Sequence, residues 1–255
     1  MIALTIDCEQ WTPLLREGIP HYNNVSYSKE GNEKLLKIFD KLDIKATFFV
    51  TGFFAEKYPK QIKKVHYLGH EIASHGYDHC YRNGKIDLEK DIRKSKNILE
   101  GIIGSKIYGF RAPQGQYSLK LLKNLNKLNF EYDSSLHPAF VPGFYNNTKY
   151  PIRPFAAHGT GIEEIPIGVM PYLRLPIGWV WMRNFGTWWT DIGVKLLLRK
   201  NIIPVLYFHS WEFANISSKY LPFYYLRNTG DKFCSILSNL LEKHKNQEFI
   251  TLSEI

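Results

Sequence analysis

Cysteine is nearly missing from this chain. Cys8, Cys80 and Cys234 are an odd, small set, so no disulfide framework organises the fold and a reducing compartment suits it. No Cys-x-x-Cys pair occurs, which counts against a thiolate zinc site. Long apolar runs are missing too, and none approaches the roughly 20 residues a membrane helix needs. The first residues enter the apolar run Ile2-Ala3-Leu4 directly, with no region typical of a secretory leader. A cytoplasmic location is therefore the expectation. No Gly-x-Gly-x-x-Gly or Gly-Lys-Ser/Thr loop follows a strand-like run, which weighs against a nucleotide-binding sheet. No dense Lys/Arg tract or nucleic-acid motif occurs, so no nucleic-acid partner is expected. Acid is the minority charge. With 24 Asp and Glu against 33 Lys and Arg, the net charge is +9, which favours anionic partners such as phosphate-bearing substrates or an acidic membrane.

What is present is an alternation of strands and helices. The segments 2–7, 45–51, 71–74, 106–110, 130–133, 162–167, 203–208 and 249–252 read as strands. Helical spacing fills 32–42, 55–68, 87–100, 119–128, 191–199 and 233–243. Such an order means a parallel sheet with helices outside, and 255 residues suit a single α/β barrel domain spanning 1–255. Two stretches read as irregular insertions, 136–161 and 168–189. The second carries Tyr172, Trp179, Trp181, Phe185, Trp188 and Trp189, either as local core or as a lid or sugar-stacking wall over the barrel mouth.

Polar residues at strand ends suggest the chemistry. Asp7 and Glu9 lie two apart, so a strand points both the same way, while Cys8 faces the other. His75 and His79 follow a strand in Gly-His-Glu-Ile-Ala-Ser-His-Gly-Tyr-Asp-His. Two imidazoles and one carboxylate can hold a divalent ion and leave positions for water and substrate. The second carboxylate is then free to act as a base. Each piece has a plainer reading. A His-x-x-x-His is usually a surface helix pair, Asp7 can cap a helix, Arg111 can be a structural ion pair, and His209 can be a satisfied core histidine. Asp7, His75, Arg111 and His209 nevertheless all fall at C-terminal strand ends, the face where α/β barrels build sites. His21, His66, His70, His137, His158 and His244 read as structural or exposed.

The motifs together resemble the polysaccharide deacetylases with a NodB-homology domain, in the branch that opens with Asp-x-Glu. Thr5-Ile6-Asp7-Cys8-Glu9, Ala46-Thr47-Phe48-Phe49-Val50, Gly69-His70-Glu71-Ile72, His75-Gly76-Tyr77-Asp78-His79, Phe110-Arg111-Ala112-Pro113, Tyr132-Asp133-Ser134-Ser135 and Tyr207-Phe208-His209-Ser210-Trp211 carry the resemblance in order along nearly the whole chain. It implies a distorted (β/α) barrel of seven or eight strands, and hydrolysis of an N-acyl group on an amino sugar. It implies Asp7 as general base, Glu9, His75 and His79 as metal ligands, His209 as general acid, and Arg111 as the residue orienting Asp7. The backbone N–H of Gln114 would complete an oxyanion hole, and Asp133 would anchor Arg111 or His209. Trp11, Pro113, Tyr117 and Trp211, on or beside these motifs, become candidate substrate contacts. One divalent ion is implied, zinc first, with cobalt, nickel, manganese or iron as alternatives. The chain departs from the pattern in the longer Glu9 side chain and in a fourth motif without tryptophan.

The expected reaction is removal of an N-acetyl group from an amino sugar of a cell-surface polysaccharide or its precursor. The basic charge and the lack of a leader favour a nucleotide- or lipid-linked sugar, with peripheral contact at the inner membrane face. Deformylation or cyclic-amide hydrolysis on the same barrel, and a non-catalytic glycan-binding barrel, are the alternatives. A non-haem iron oxygenase would share the ligand set, but the strand–helix alternation disagrees with it.

Overall fold

The computed structural model describes residues 1–11, 24–79, 81, 86–157, 159–218 and 221–255. His21, Cys80 and His158 lie outside the described residues.

The elements run β1 (Ile2–Cys8), α1 (Ser26–Leu42), β2 (Thr47–Val50), α2 (Gly52–Lys57), α3 (Pro59–Tyr67), β3 (Glu71–Ser74), α4 (Leu88–Ile103), β4 (Gly109–Phe110), α5 (Leu119–Lys127) and β5 (Tyr132–Asp133). Then come β6 (Phe140–Val141), β7 (Tyr145–Asn146), β8 (Phe155–Ala157), β9 (Ile162–Glu164), α6 (Trp179–Phe185), α7 (Thr187–Arg199), β10 (Val205–His209), α8 (Phe223–Leu226), α9 (Asp231–Lys243) and β11 (Phe249–Ile250).

Local chemistry sets several boundaries. Asp87 caps α4 by accepting from the Lys90 N–H at 3.3 Å, acids fill the first turn, and Gly104 ends the helix in the left-handed region. The single helix expected over 55–68 is two helices, because Pro59 starts α3 and forces Tyr58 out of helical geometry.

The main sheet runs β10-β1-β2-β3-β4-β5-β9-β8, with β11 beside β1. All its pairings are parallel except β8 on β9, which is antiparallel. The purely parallel sheet expected from the sequence is thus a mixed one. The stretch 136–161, read as irregular, supplies β8 and the small hairpin β6–β7. Among the described residues no ladder joins β9 to β10. The chain after β9 touches β10 through the Gly168 N–H on the Val205 carbonyl at 2.8 Å. The sheet is a curled, distorted barrel.

Alternation sorts its two faces. Ala3, Phe49, Ala73, Tyr132, Ile165 and Val205 pack inside the barrel. Ile2, Leu4, Ile6, Cys8, Phe48, Val50, Leu206 and Phe208 pack outward in the larger core with Leu35, Phe39, Phe54, Leu121 and Phe233 of the helices. By the same count Thr5, Asp7, Tyr207 and His209 face inward. One close approach fixes the site's rim. A Cβ on Gly31 of α1 would meet the Ser210 carbonyl oxygen at 1.7 Å, so the helix lies directly on the turn after His209.

Candidate active site

Parallel pairing places Asp7 beside His209 at the C-terminal ends of β1 and β10. Glu9 follows one residue past β1, and His75 one residue past β3. All four are buried. Glu9 is the hub. One of its carboxylate oxygens lies 2.5 Å from His79 Nε2 and 3.2 Å from His75 Nε2. Its other oxygen accepts from Trp211 Nε1 at 3.0 Å and sits 3.7 Å from His209 Nε2. Burial drives this carboxyl upward, but the imidazoles of His79, His209 and His75 outweigh it and hold the group well below the usual range.

His75 Nδ1 lies 2.8 Å from the Arg111 carbonyl oxygen. A carbonyl only accepts, so Nδ1 carries a hydrogen and Nε2 is the nitrogen turned toward Glu9. A metal ligand needs that arrangement, with Nε2 offered to the ion. The ligating atoms of Glu9, His75 and His79 lie within 4.8 Å of one another, as do those of Asp7, Glu9 and His209. The donor set therefore fits a divalent ion.

Arg111 is fixed on every side. Its N–H groups donate to Asp7 Oδ1 at 2.9 Å, Thr5 Oγ1 at 2.9 Å, the Ser134 carbonyl at 2.8 Å and Ser134 Oγ at 2.9 Å, with the Phe49 ring 4.1 Å from the guanidinium. Asp7 is thereby held in one orientation, its other oxygen 3.6 Å from His75 Nε2.

His209 is held just as firmly. Nδ1 lies 3.0 Å from Glu212 Oε1, which also accepts from the His209 backbone N–H at 2.8 Å. Glu212 Oε2 accepts from Arg183 Nε at 2.6 Å, and neither side chain is exposed. Nε2 faces Tyr207 Oη at 2.6 Å. Burial lowers the His209 pKa, yet Glu9, Glu212 and Asp7 more than compensate, so the imidazolium is favoured. Trp211 stacks on its ring at 4.9 Å and Trp179 meets it edge-on at 5.1 Å.

Other expected residues land differently. Asp133 bonds neither Arg111 nor His209. Alternation turns it to the outer face of β5, so Ser134 holds Arg111 and Glu212 holds His209. Asp133 accepts from Ser135 Oγ at 2.6 Å, and Ser135 Oγ in turn accepts from the Ala112 N–H at 2.7 Å, which supports the Arg111 loop from behind. Trp211 donates to Glu9 and covers His209. Trp11 is buried edge-on to Tyr27 at 5.5 Å in a cluster with Trp211. Pro113 is buried, and Gln114 holds a left-handed backbone (φ 57) in the 3-10 turn Pro113–Gly115. Tyr117 is half-buried against Tyr150, its phenol pushed up by burial and by nearby Glu164 and Asp133. His70 packs against Phe39 and Phe48 and accepts from the Ala46 N–H, and His244 pairs with Asp191, so both are structural.

The structure adds Thr5, Ser134, Glu212, Arg183 and Trp179 to the residues the motifs point to. Thr5 shares the inward face of Asp7, and Glu212 stands three residues after His209 in a capping arrangement, so both carry a spacing signal. Trp179 stands among the aromatics of the 168–189 stretch, and Arg183 carries no signal.

A curled barrel thus carries a carboxylate–imidazole cluster at its mouth and a buried arginine beside one carboxylate. The family profile described as polysaccharide deacetylase matches residues 2–132, and the chain belongs to that family. It is 34% identical over 115 residues to the peptidoglycan deacetylase of Helicobacter pylori, covering 44% of this chain and 39% of that protein. The chain thus spans well under half the length of that relative. A Mycobacterium smegmatis protein described as a polysaccharide deacetylase superposes with a TM-score of 0.68 at 20% identity, over 99% of this chain and 87% of its own. An allantoinase superposes with a TM-score of 0.73 at 14% identity, over the same shares. At those identities the two structures share the fold.

Proposed function

We propose that the protein is a metal-dependent hydrolase that removes an N-acetyl group from an amino sugar. The observation that supports this most is the convergence of Glu9, His75 and His79 within ligand reach of one another, with Asp7 and His209 side by side at the same mouth. The core that joins strands and helices throughout supports reading 1–255 as one domain.

The residues divide the work. Glu9, His75 and His79 hold one divalent ion, zinc in the first instance. Such an ion polarises a carbonyl and lowers the pKa of water to about 7. Asp7 accepts the proton of the attacking water, its lone pairs aimed by Arg111. His209 delivers a proton to the departing amine nitrogen, because Glu212 behind Nδ1 stabilises the imidazolium. The left-handed backbone at Gln114 suits a main-chain donor aimed at the developing oxyanion, a contact typically worth roughly 3 kcal/mol.

The substrate in this reading carries a diphosphate, nucleotide- or lipid-linked. The net charge of +9 supports it, and so does the run 165–230, whose acids are Asp191 and Glu212, both buried. Peptidoglycan in the relative's name supplies the N-acetylated sugar. The test is acetate release, with metal analysis, from a diphosphate-linked N-acetylhexosamine, the free sugar and neutral chitin oligomers. One bound ion and a higher kcat/KM on the linked sugar, narrowing at high salt, are expected. Release of formate or ring opening without acetate overturns the acyl assignment, and preference for neutral oligomers overturns the diphosphate.

A further inference from the structure

We propose that the aromatic face built by α6, α7 and α8 docks the protein on an anionic phospholipid bilayer. This rests on surface chemistry and not on the reaction at Asp7 and Glu9. Four rings form one cluster. Trp181 stacks on Trp189 at 5.7 Å, Phe185 packs on Trp189 at 5.0 Å, and Trp188 meets Trp189 edge-on at 5.8 Å. The cluster is not sealed into the core. Phe185 is 48% exposed, Trp188 54% and Ile192 43%. On α8, which α6 grips through Asn184 Nδ2 on the Tyr224 carbonyl at 2.9 Å, Phe223 is 75% exposed. Apolar rings standing in water at this density mark an interaction surface.

Charge selects the occupant. Trp188, Ile192, Lys195 and Arg199 follow one another at helical spacing along α7, so an aromatic-to-basic stripe runs down one side. Arg227, also exposed, ends α8. The stretch 165–230 contains two acids. Asp191 pairs with Lys195 and His244, and Glu212 pairs with Arg183 and His209. No acid on this stretch is therefore exposed to repel a lipid phosphate. Rings at headgroup depth flanked by lysine and arginine are the composition of an interfacial anchor. A second copy fits worse, since a two-fold contact would oppose basic residues with no exposed acid from this stretch between them. A glycan fits worse as well, because the flat faces of Trp181 and Trp189 are spent on each other.

The position matters for the site. α6 starts at Trp179, edge-on to His209, and ends at Phe185 in the cluster. Seven residues of helix span about 10 Å. Docking therefore brings the barrel mouth to within a helix length of the headgroups.

Vesicle co-sedimentation tests this with phosphatidylcholine alone against phosphatidylcholine containing phosphatidylglycerol. Binding to the anionic vesicles, a blue shift of tryptophan emission and release by high salt are expected. Phe185→Ser with Trp188→Ser should weaken partitioning roughly tenfold or more. Arg199→Gln with Arg227→Gln should weaken it roughly fivefold per charge, and it leaves the ring cluster intact should the first variant misfold. Wild-type protein that stays off anionic vesicles overturns the proposal. So does unchanged binding by the charge variant, or a concentration-dependent dimer in light scattering that Trp188→Ser dissolves. Loss of acetate release with vesicle binding intact leaves the docking standing and sinks only the hydrolase reading.

Discussion

Two pairs of buried carboxyls sit on or just past strands of the same sheet and meet opposite surroundings. Glu9, beside Asp7 at the barrel mouth, faces three imidazoles, and Asp7 itself faces Arg111. Asp133 and Glu164 are paired in register on β5 and β9 but point to the outer face, where neither meets a basic side chain within hydrogen-bonding reach. Glu164 accepts from the Leu136 N–H and Asp133 from Ser135 Oγ, which leaves Asp133 Oδ2 and Glu164 Oε2 buried without a donor. One proton held between them would give both oxygens a partner. Burial and mutual repulsion raise Glu164 well above its usual range, and burial raises Asp133 to about 6. Strand alternation decides which acids meet cations and which hold a proton. A third acid, Glu212, shows that the outcome follows the partner, not depth, since it is as buried as Glu164 yet ion-paired with Arg183.

The comparison can be broken most severely at Asp7. Asp7→Asn keeps shape and removes charge, so turnover should fall by about 10²–10⁴-fold with metal content unchanged by elemental analysis. An Asp7→Asn enzyme that stays active would remove Asp7 from the role of base.

The next two variants make the same chemical change at two acids and should act in opposite directions. Glu212→Gln strands the buried Arg183 charge, and chemical denaturation should show a loss of about 3–5 kcal/mol. Glu164→Gln replaces the shared proton by an amide that still donates to Asp133. The folded pKa values of this pair lie above the unfolded ones, so the pair stabilises fully below about pH 4 and loses that contribution as pH rises through about 6 and beyond. The variant should thus equal wild type near pH 5 and exceed it by of order 1 kcal/mol at pH 8. Parallel pH profiles for the two proteins would show that no proton is shared.

The same faces explain what could be foreseen. Asp7, Glu9, His75, His79, Arg111 and His209 end or follow strands whose apolar pattern is plain in the sequence, so their convergence was legible. Asp133 was legible as a residue but not as a direction. Its strand, two residues long, carries too little pattern to reveal which side faces inward. Glu164 depends on which strand lies next to β5, and adjacency is a property of topology. β8 runs antiparallel through a stretch that reads as loop, because three residues give no period to recognise. Arg183 reaches Glu212 from a helix inside the aromatic insertion, and no local spacing connects the two.

The place of β1 in the sheet has one more consequence. It lies between β2 and β10, and its partner for Asp7 is His209, from the last quarter of the chain. During synthesis at about 5–20 residues per second, β1 therefore waits on the order of tens of seconds for one of its neighbours. Its edge toward β10 stays open over that time, and the pair Asp7–His209 cannot exist until β10 has left the ribosome. Asp7 and His209 therefore meet only after every strand from β2 to β9 has been made between them.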